Sequence, residues 1–348
     1  MKARTRQKLN LLLYPVGLTV HRLTFGAVSI STFLSKHADP VDHRHVDQLF
    51  QEKGKEAAFD YLNALHLQYP QNPHIWNKQG LYGTRQETYE EALHHLNEAL
   101  RLDPYCDPAL NNKSWALYGQ GRYQEALDVI EYALHLDPRD DIKLTNKGNA
   151  LLQLYRYEEA IQTYEEALAL DPTNPHACYG LGMTWKSIRR YADAAKAFET
   201  YTTNVPSDID GWIQLAECRR KQQEYEQELK ACLSILELEP NHYGATFHAG
   251  EAYLALEWWE KSREHYAAAI AQYPEDAIFH YSLGRSCAQL GDSHAALQSL
   301  KQAYRLDHTA LISAAEDSGF QPLHHNPLFQ DLILLDVAFE ENSSPIYH

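Results

Sequence analysis

Basic residues are scarce in this sequence, and the usual signatures of catalysis are missing. The 348 residues carry 31 Lys and Arg against 47 Asp and Glu, a formal charge of -16. With no basic stripe to displace counterions from phosphates, nucleic acid is excluded as the main ligand. The surplus of carboxylates fits a soluble acidic surface. The sequence has no GxxxxGK followed by Ser or Thr, no GxSxG, no HExxH and no CxxC. Cysteine is rare: Cys106, Cys178, Cys218, Cys232 and Cys287 are odd in number and unpaired in spacing. They read as small apolar core residues and fit a reducing cytoplasm. The 19 histidines include the neighbours His43/His45, His94/His95 and His324/His325. None has a second cluster at ligand spacing, and adjacent residues on a helix point apart. Glu158/Glu159 and Glu165/Glu166 read as solvated helix faces rather than acid–base pairs. No catalytic residue, cofactor or metal ligand is expected, and no enzyme.

What is present is a period. The stretch Ile142 to Pro172 reads as two amphipathic helices, about Ile142–Tyr155 and about Tyr157–Leu170, joined by a tight turn. Leu144, Gly148, Leu151 and Leu152 share one face of the first helix. Ala160, Ile161, Tyr164, Ala167 and Leu168 share one face of the second. Pro172, which lacks an N–H and clashes with the preceding turn, stops the second helix. Stepping by 34 residues gives four ladders in one register. Tyr89, Tyr123, Tyr157, Tyr191, Tyr225 and Trp259 form the first. Pro104, Pro138, Pro172, Pro206, Pro240 and Pro274 form the second. Gly80, Gly148, Gly182, Gly250 and Gly284 form the third, with Ser114 and Ala216 filling the gaps. Ala92, Ala126, Ala160, Ala194 and Ala296 form the fourth. Small residues at these places let two helices cross closely.

A 34-residue helix–turn–helix unit with this pattern resembles the tetratricopeptide repeat, and Trp76 and Trp212 fall on that family's early tryptophan position. The resemblance implies an all-α, right-handed α-solenoid of tandem repeats. Seven repeats run from about residue 73 to 308, after a degenerate repeat at 41–72. Residues 309–335 form a closing element, with Phe320, Leu323, Phe329 and Leu332 placed to cover the last helix face. A tail at 336–348 is expected to be unstructured. Repeat five departs from the pattern: Glu228 takes the alanine place at the crossing, with the large Tyr201 and Ile235 at neighbouring small-residue places. A carboxylate there is costly unless Arg219, Arg220 or Lys221 reaches it.

Residues 1–38 do not repeat. They hold Lys2, Arg4, Arg6, Lys8, Arg22 and Lys36 and no acid. The other 310 residues therefore carry 25 basic groups, the 31 less these six, against 47 acidic. Leu11–Val20 is too short to span a bilayer, and Leu23–Leu34 is too polar. Four readings of the segment stand: a secretory signal, an organelle transit peptide, a membrane-surface helix, or a disordered or mis-assigned start.

The resemblance places the first helix of each repeat on an inner, concave wall. Carried over position by position, it offers Asn77 in repeat one, Asn111, Trp115 and Tyr118 in repeat two, and Asn149 in repeat three. Repeat four adds Tyr179, Met183 and Lys186, and repeat five adds Glu217, Arg220 and Lys221. Repeat six adds Phe247 and Glu251, and repeat seven adds Tyr281 and Arg285. Aromatic and Met side chains supply anchors, and Asn can satisfy both backbone groups of an extended peptide. Asn112, Asn146 and Asn149 equally match the repeat consensus. The basic residues of the family's clamp for acidic chaperone tails are not present as a set. The reading is a non-catalytic, cytoplasmic scaffold that binds extended or helical segments of other proteins. The alternative is an assembly or regulatory factor taken to a membrane or organelle by residues 1–38.

Overall fold

The structure is a computed structural model, which describes residues 41–334. Residues 1–40 and 335–348, and with them the readings of the basic N-terminal segment and the tail, lie outside the described residues. Those described are helical, without a strand among them. The helices are α1 (His43–Lys53), α2 (Lys55–Gln68), α3 (Pro73–Arg85), α4 (Tyr89–Leu102), α5 (Asp107–Gly119) and α6 (Tyr123–Leu136). They continue as α7 (Asp141–Gln153), α8 (Tyr157–Leu170), α9 (Pro175–Ser187), α10 (Tyr191–Asn204), α11 (Ile209–Lys221) and α12 (Tyr225–Leu238). The last are α13 (Tyr243–Ala255), α14 (Trp259–Gln272), α15 (Ala277–Gln289), α16 (Ser293–Leu306) and α17 (Ala310–Glu316). A 3-10 turn at Ser318–Leu323 and a helix at 327–334 follow.

The chain divides into two compact units, Met1–Thr184 and Trp185–His348, so the boundary falls inside α9. In the first, α3–α4, α5–α6 and α7–α8 pack as hairpins that stack on one another. In the second, α11–α12, α13–α14 and α15–α16 do the same. Each unit is an α-solenoid.

The ladders explain the boundaries. The second helices from α4 to α14 begin on the aromatic ladder, at Tyr89, Tyr123, Tyr157, Tyr191, Tyr225 and Trp259. Each ends two residues before a ladder proline, from Pro104 to Pro274. The turn between the two helices carries a further ladder. Glu87, Gly121, Tyr155, Arg189, Gln223, Glu257 and Gly291 all have positive φ, between 58° and 77°. The residue after each closes a six-to-one hydrogen bond, as in Thr88 N–H to Gly83 O and Trp258 N–H to Tyr253 O, both 2.9 Å. This satisfies helix-end carbonyls in the Schellman manner. It also ends the first helix at Gln153 rather than at Tyr155, which turns out into solvent. Only two of these seven residues are glycine, and a side chain in this region costs up to about 1–2 kcal/mol. Glu257→Gly is therefore expected to raise the urea midpoint, by about 1 kcal/mol of stability. An unchanged or lower midpoint would show that the turn bears no strain.

The core follows the apolar faces. In the first unit it runs through Leu96, Leu117, Ile130, Leu151 and Tyr164. Tyr164 is fully buried because Gly148 and Gly180 make room for its ring: a Cβ at either would lie 2.7 or 2.4 Å from ring atoms. In the second unit, Phe320, Leu323, Phe329 and Leu332 are buried against Leu297 and Leu300 and cover the last hairpin. All five cysteines are buried. Tyr201, large for its place, is answered by Gly211 opposite, and its hydroxyl donates to Asp208 Oδ2 at 2.5 Å. Glu228 has no such relief. It is 2% exposed, and the nearest basic group is Arg220, whose Nε lies 3.7 Å from Oε1. Arg219 is spent on Glu199 and Glu224.

Candidate functional site

The residues that the repeat resemblance offers for binding fall into two chemically different groups, one in each unit. In the first unit, α5 and α7 present parallel rows of polar side chains. Side chains 35 residues apart are cross-linked: Asn112 Nδ2 of α5 donates to Asn77 Oδ1 of α3, and Asn146 Nδ2 of α7 to Asn111 Oδ1 of α5, both at 2.8 Å. Gln153 Nε2 donates to Tyr118 Oη at 3.2 Å. That offset is one repeat plus one residue, the step that brings side chains of stacked first helices level.

Between these rows lies a cavity of about 340 Å³. Asn111, Trp115 and Tyr118 line it from α5, Ile142, Asn146 and Asn149 from α7, and His176 from α9. Trp115 and Ile142 are its apolar edges, 39% and 58% exposed. Asn149 is held by Tyr164, whose hydroxyl donates to its Oδ1 at 2.6 Å. Burial pushes the Tyr118 and Tyr164 phenols up from their ordinary range, so both stay neutral. The lining contains no carboxylate, Lys or Arg. Each Asn amide has two donors and two acceptor lone pairs, and the cross-links use only part of that capacity. Asn77 is buried beneath the row, and its oxygen is committed to Asn112. Tyr179 and Met183, on α9, are half-buried.

The second unit places charge where the first places amides. Lys186 Nζ lies 2.5 Å from Glu217 Oε2 and 2.6 Å from Gln214 Oε1. Glu251 accepts from Tyr266 Oη at 2.8 Å and from Arg285 Nη1 at 2.9 and 3.0 Å. Arg285 Nε also faces Asp317 Oδ2 at 3.2 Å, and Tyr281 Oη donates to the same oxygen at 2.8 Å. Burial alone would lower the Arg285 pKa, but Glu251 and Asp317 outweigh it and hold the guanidinium charged. Phe247 packs partly buried beside Tyr266 and Phe279, edge-on to His248. Arg220 and Lys221 are exposed. So Lys186 with Glu217 and Glu251 with Arg285 tie successive first helices together, while Tyr281 and Arg285 tie α15 to Asp317, and this use of their side chains was not visible in the sequence. Ile142 and Asn146, absent from the set of first-helix positions carried over from the family, line the cavity beside His176, which repeat four of that carry-over does offer. The signal that finds them is the 35-residue offset, which places Asn146 level with Asn111.

Among the described residues no group of three or more His, Cys, Asp or Glu could hold a metal ion, and no helix is long and apolar enough to cross a membrane. A family model for the tetratricopeptide repeat matches residues 47–105, 111–175, 186–243 and 247–310, and a second matches 151–212. The chain belongs to the tetratricopeptide repeat family. Repeats of this family are, in general, non-catalytic protein-interaction scaffolds, and the helix pairs described above are those repeats. Among solved structures, the C-terminal part of a tetratricopeptide repeat protein from Cytophaga hutchinsonii is 18% identical, with a TM-score of 0.53 over 71% of this chain and 99% of that one. PilF of Pseudomonas aeruginosa is 20% identical, with a TM-score of 0.49 over 60% of this chain and 94% of that one. YrrB, described as a tetratricopeptide repeat protein with an unusual peptide-binding site, is 24% identical, with a TM-score of 0.46 over 53% of this chain and 96% of that one. No curated protein matches this chain.

Proposed function

We propose that this chain is a scaffold whose first unit holds an extended segment of a partner protein along the α5–α7 face. The observation that carries this reading is the uncharged lining of the cavity on a chain of charge -16. A wall of amides has little to offer a charged ligand, but it matches the alternating N–H and C=O groups of an extended backbone. Trp115 and Ile142, exposed at its edges, supply apolar contacts for the segment's side chains. The charged first helices of the second unit satisfy one another and support this face less well as the primary site.

Trp115→Ala is expected to weaken capture of the partner by at least about 2 kcal/mol, roughly thirtyfold, with helicity unchanged. Because the lining is uncharged, raising salt from about 0.05 to 0.5 M should change capture little. The control is Glu165→Lys with Glu166→Lys on the outer side of α8. If the control abolishes binding and Trp115→Ala leaves it intact, the partner uses the opposite side.

A further inference from the structure

A groove of about 1190 Å³ lies on the second unit, along α14 and α16. Its floor is apolar: Ala267 and Ile270 from α14, Leu283 from α15, Leu297 from α16 and Leu328 from the helix at 327–334. Leu328 is 62% exposed. Its charged lining is basic, with Arg263, Lys301 and Arg305 against the single carboxylate of Glu264. An apolar floor under basic groups is out of character for a chain with 47 acidic and 31 basic residues. It calls for an occupant that is acidic and carries apolar anchors.

We propose that the occupant is the chain's own last stretch, residues 335–348, docked in cis. Three observations converge on it. The helix at 327–334 that supplies Leu328 to the groove runs directly into residue 335. The stretch has Asp336, Glu340 and Glu341 and no Lys or Arg, complementary to Arg263, Lys301 and Arg305. It also has Val337, Phe339, Ile346 and Tyr347 for the apolar floor. Reach is ample. Fourteen extended residues span up to about 45 Å, whereas a 14-residue helix such as α14 is only about 21 Å long. A tether this short gives an effective concentration in the mM range, so contacts too weak for a separate peptide suffice. The groove is then filled in the free chain, and an outside acidic segment must displace the tail to enter.

The test is amide hydrogen exchange on the full chain. Residues 335–348 should exchange at least about tenfold more slowly than the same sequence as a free synthetic peptide. Lys301→Glu with Arg305→Glu, both at exposed positions, should bring them to the free-peptide rate without loss of helicity. Adding Glu340→Lys with Glu341→Lys to that chain should restore the protection. A free-peptide rate in the unmodified chain overturns the proposal, as does protection that survives the charge reversal. Protection that grows with protein concentration also overturns it, by placing the tail on a second copy.

Discussion

Gly180→Ala is expected to destabilise the protein by about 2–3 kcal/mol, although the same change at an exposed helix position stabilises by about 1 kcal/mol. The added Cβ would lie 2.4 Å from Tyr164 Cζ and 2.5 Å from its hydroxyl oxygen. That ring cannot step aside, since Gly148 already gives way to it on the other side, at 2.7 Å, and its hydroxyl is bonded to Asn149. Either the ring leaves its rotamer or α8 and α9 spread. The signature is non-additivity. Tyr164→Leu alone leaves a cavity and an unbonded Asn149, at a cost of about 2–4 kcal/mol. Combined with Gly180→Ala it should cost less than the sum, with a coupling of about 1–3 kcal/mol. Strict additivity of the urea midpoints would show that the crossing can relax.

Glu228→Gln should act in the opposite direction. Burial pushes the Glu228 carboxyl up to about 7; Arg220 opposes the shift, and the Glu251 carboxylate adds to it. The folded-state value lies above the unfolded value of 4.5. The fold thus favours the protonated form, and the stability that goes with it is complete below about pH 4.5 and lost as the pH rises through 7. Above pH 7 the fold must hold an ionised carboxylate at a helix crossing, at a cost of up to about 3 kcal/mol. The Gln variant should therefore be more stable by about 2 kcal/mol at pH 8 and match the native protein near pH 4.5, with the gap opening between. If Glu228→Gln is instead less stable at pH 8, Arg220 holds the carboxylate better than its 3.7 Å separation implies.

These two sites mark what the sequence reveals and what it withholds. The 34-residue ladders declare the repeat, because each ladder residue performs one local act. A tyrosine or tryptophan opens the second helix, a proline follows its end, and a small residue permits the crossing. Glu228 was legible as an intruder for the same reason. Yet the sequence left Arg219, Arg220 and Lys221 as equal candidates to reach it, and only side-chain placement separates Arg219, taken by Glu199 and Glu224, from Arg220. The left-handed turn residues were hidden because glycine, the usual marker, stands at only Gly121 and Gly291 among the seven. The grouping of the candidate residues was half legible. Asn111, Trp115, Tyr118 and Asn149 meet at one cavity as first-helix positions do. Lys186, Glu217, Glu251 and Arg285 occupy equivalent places but pair with one another, because a side chain's partner depends on the neighbouring repeat, which periodicity alone does not rank.

The most direct measurement is photo-crosslinking of the bound partner from a benzoylphenylalanine placed at Ile142, beside one placed at Glu165. The account predicts that Ile142 crosslinks to a short, continuous segment of the partner, that Trp115→Ala removes the product, and that Glu165 gives little. A partner captured from Glu165 and not from Ile142 would contradict it.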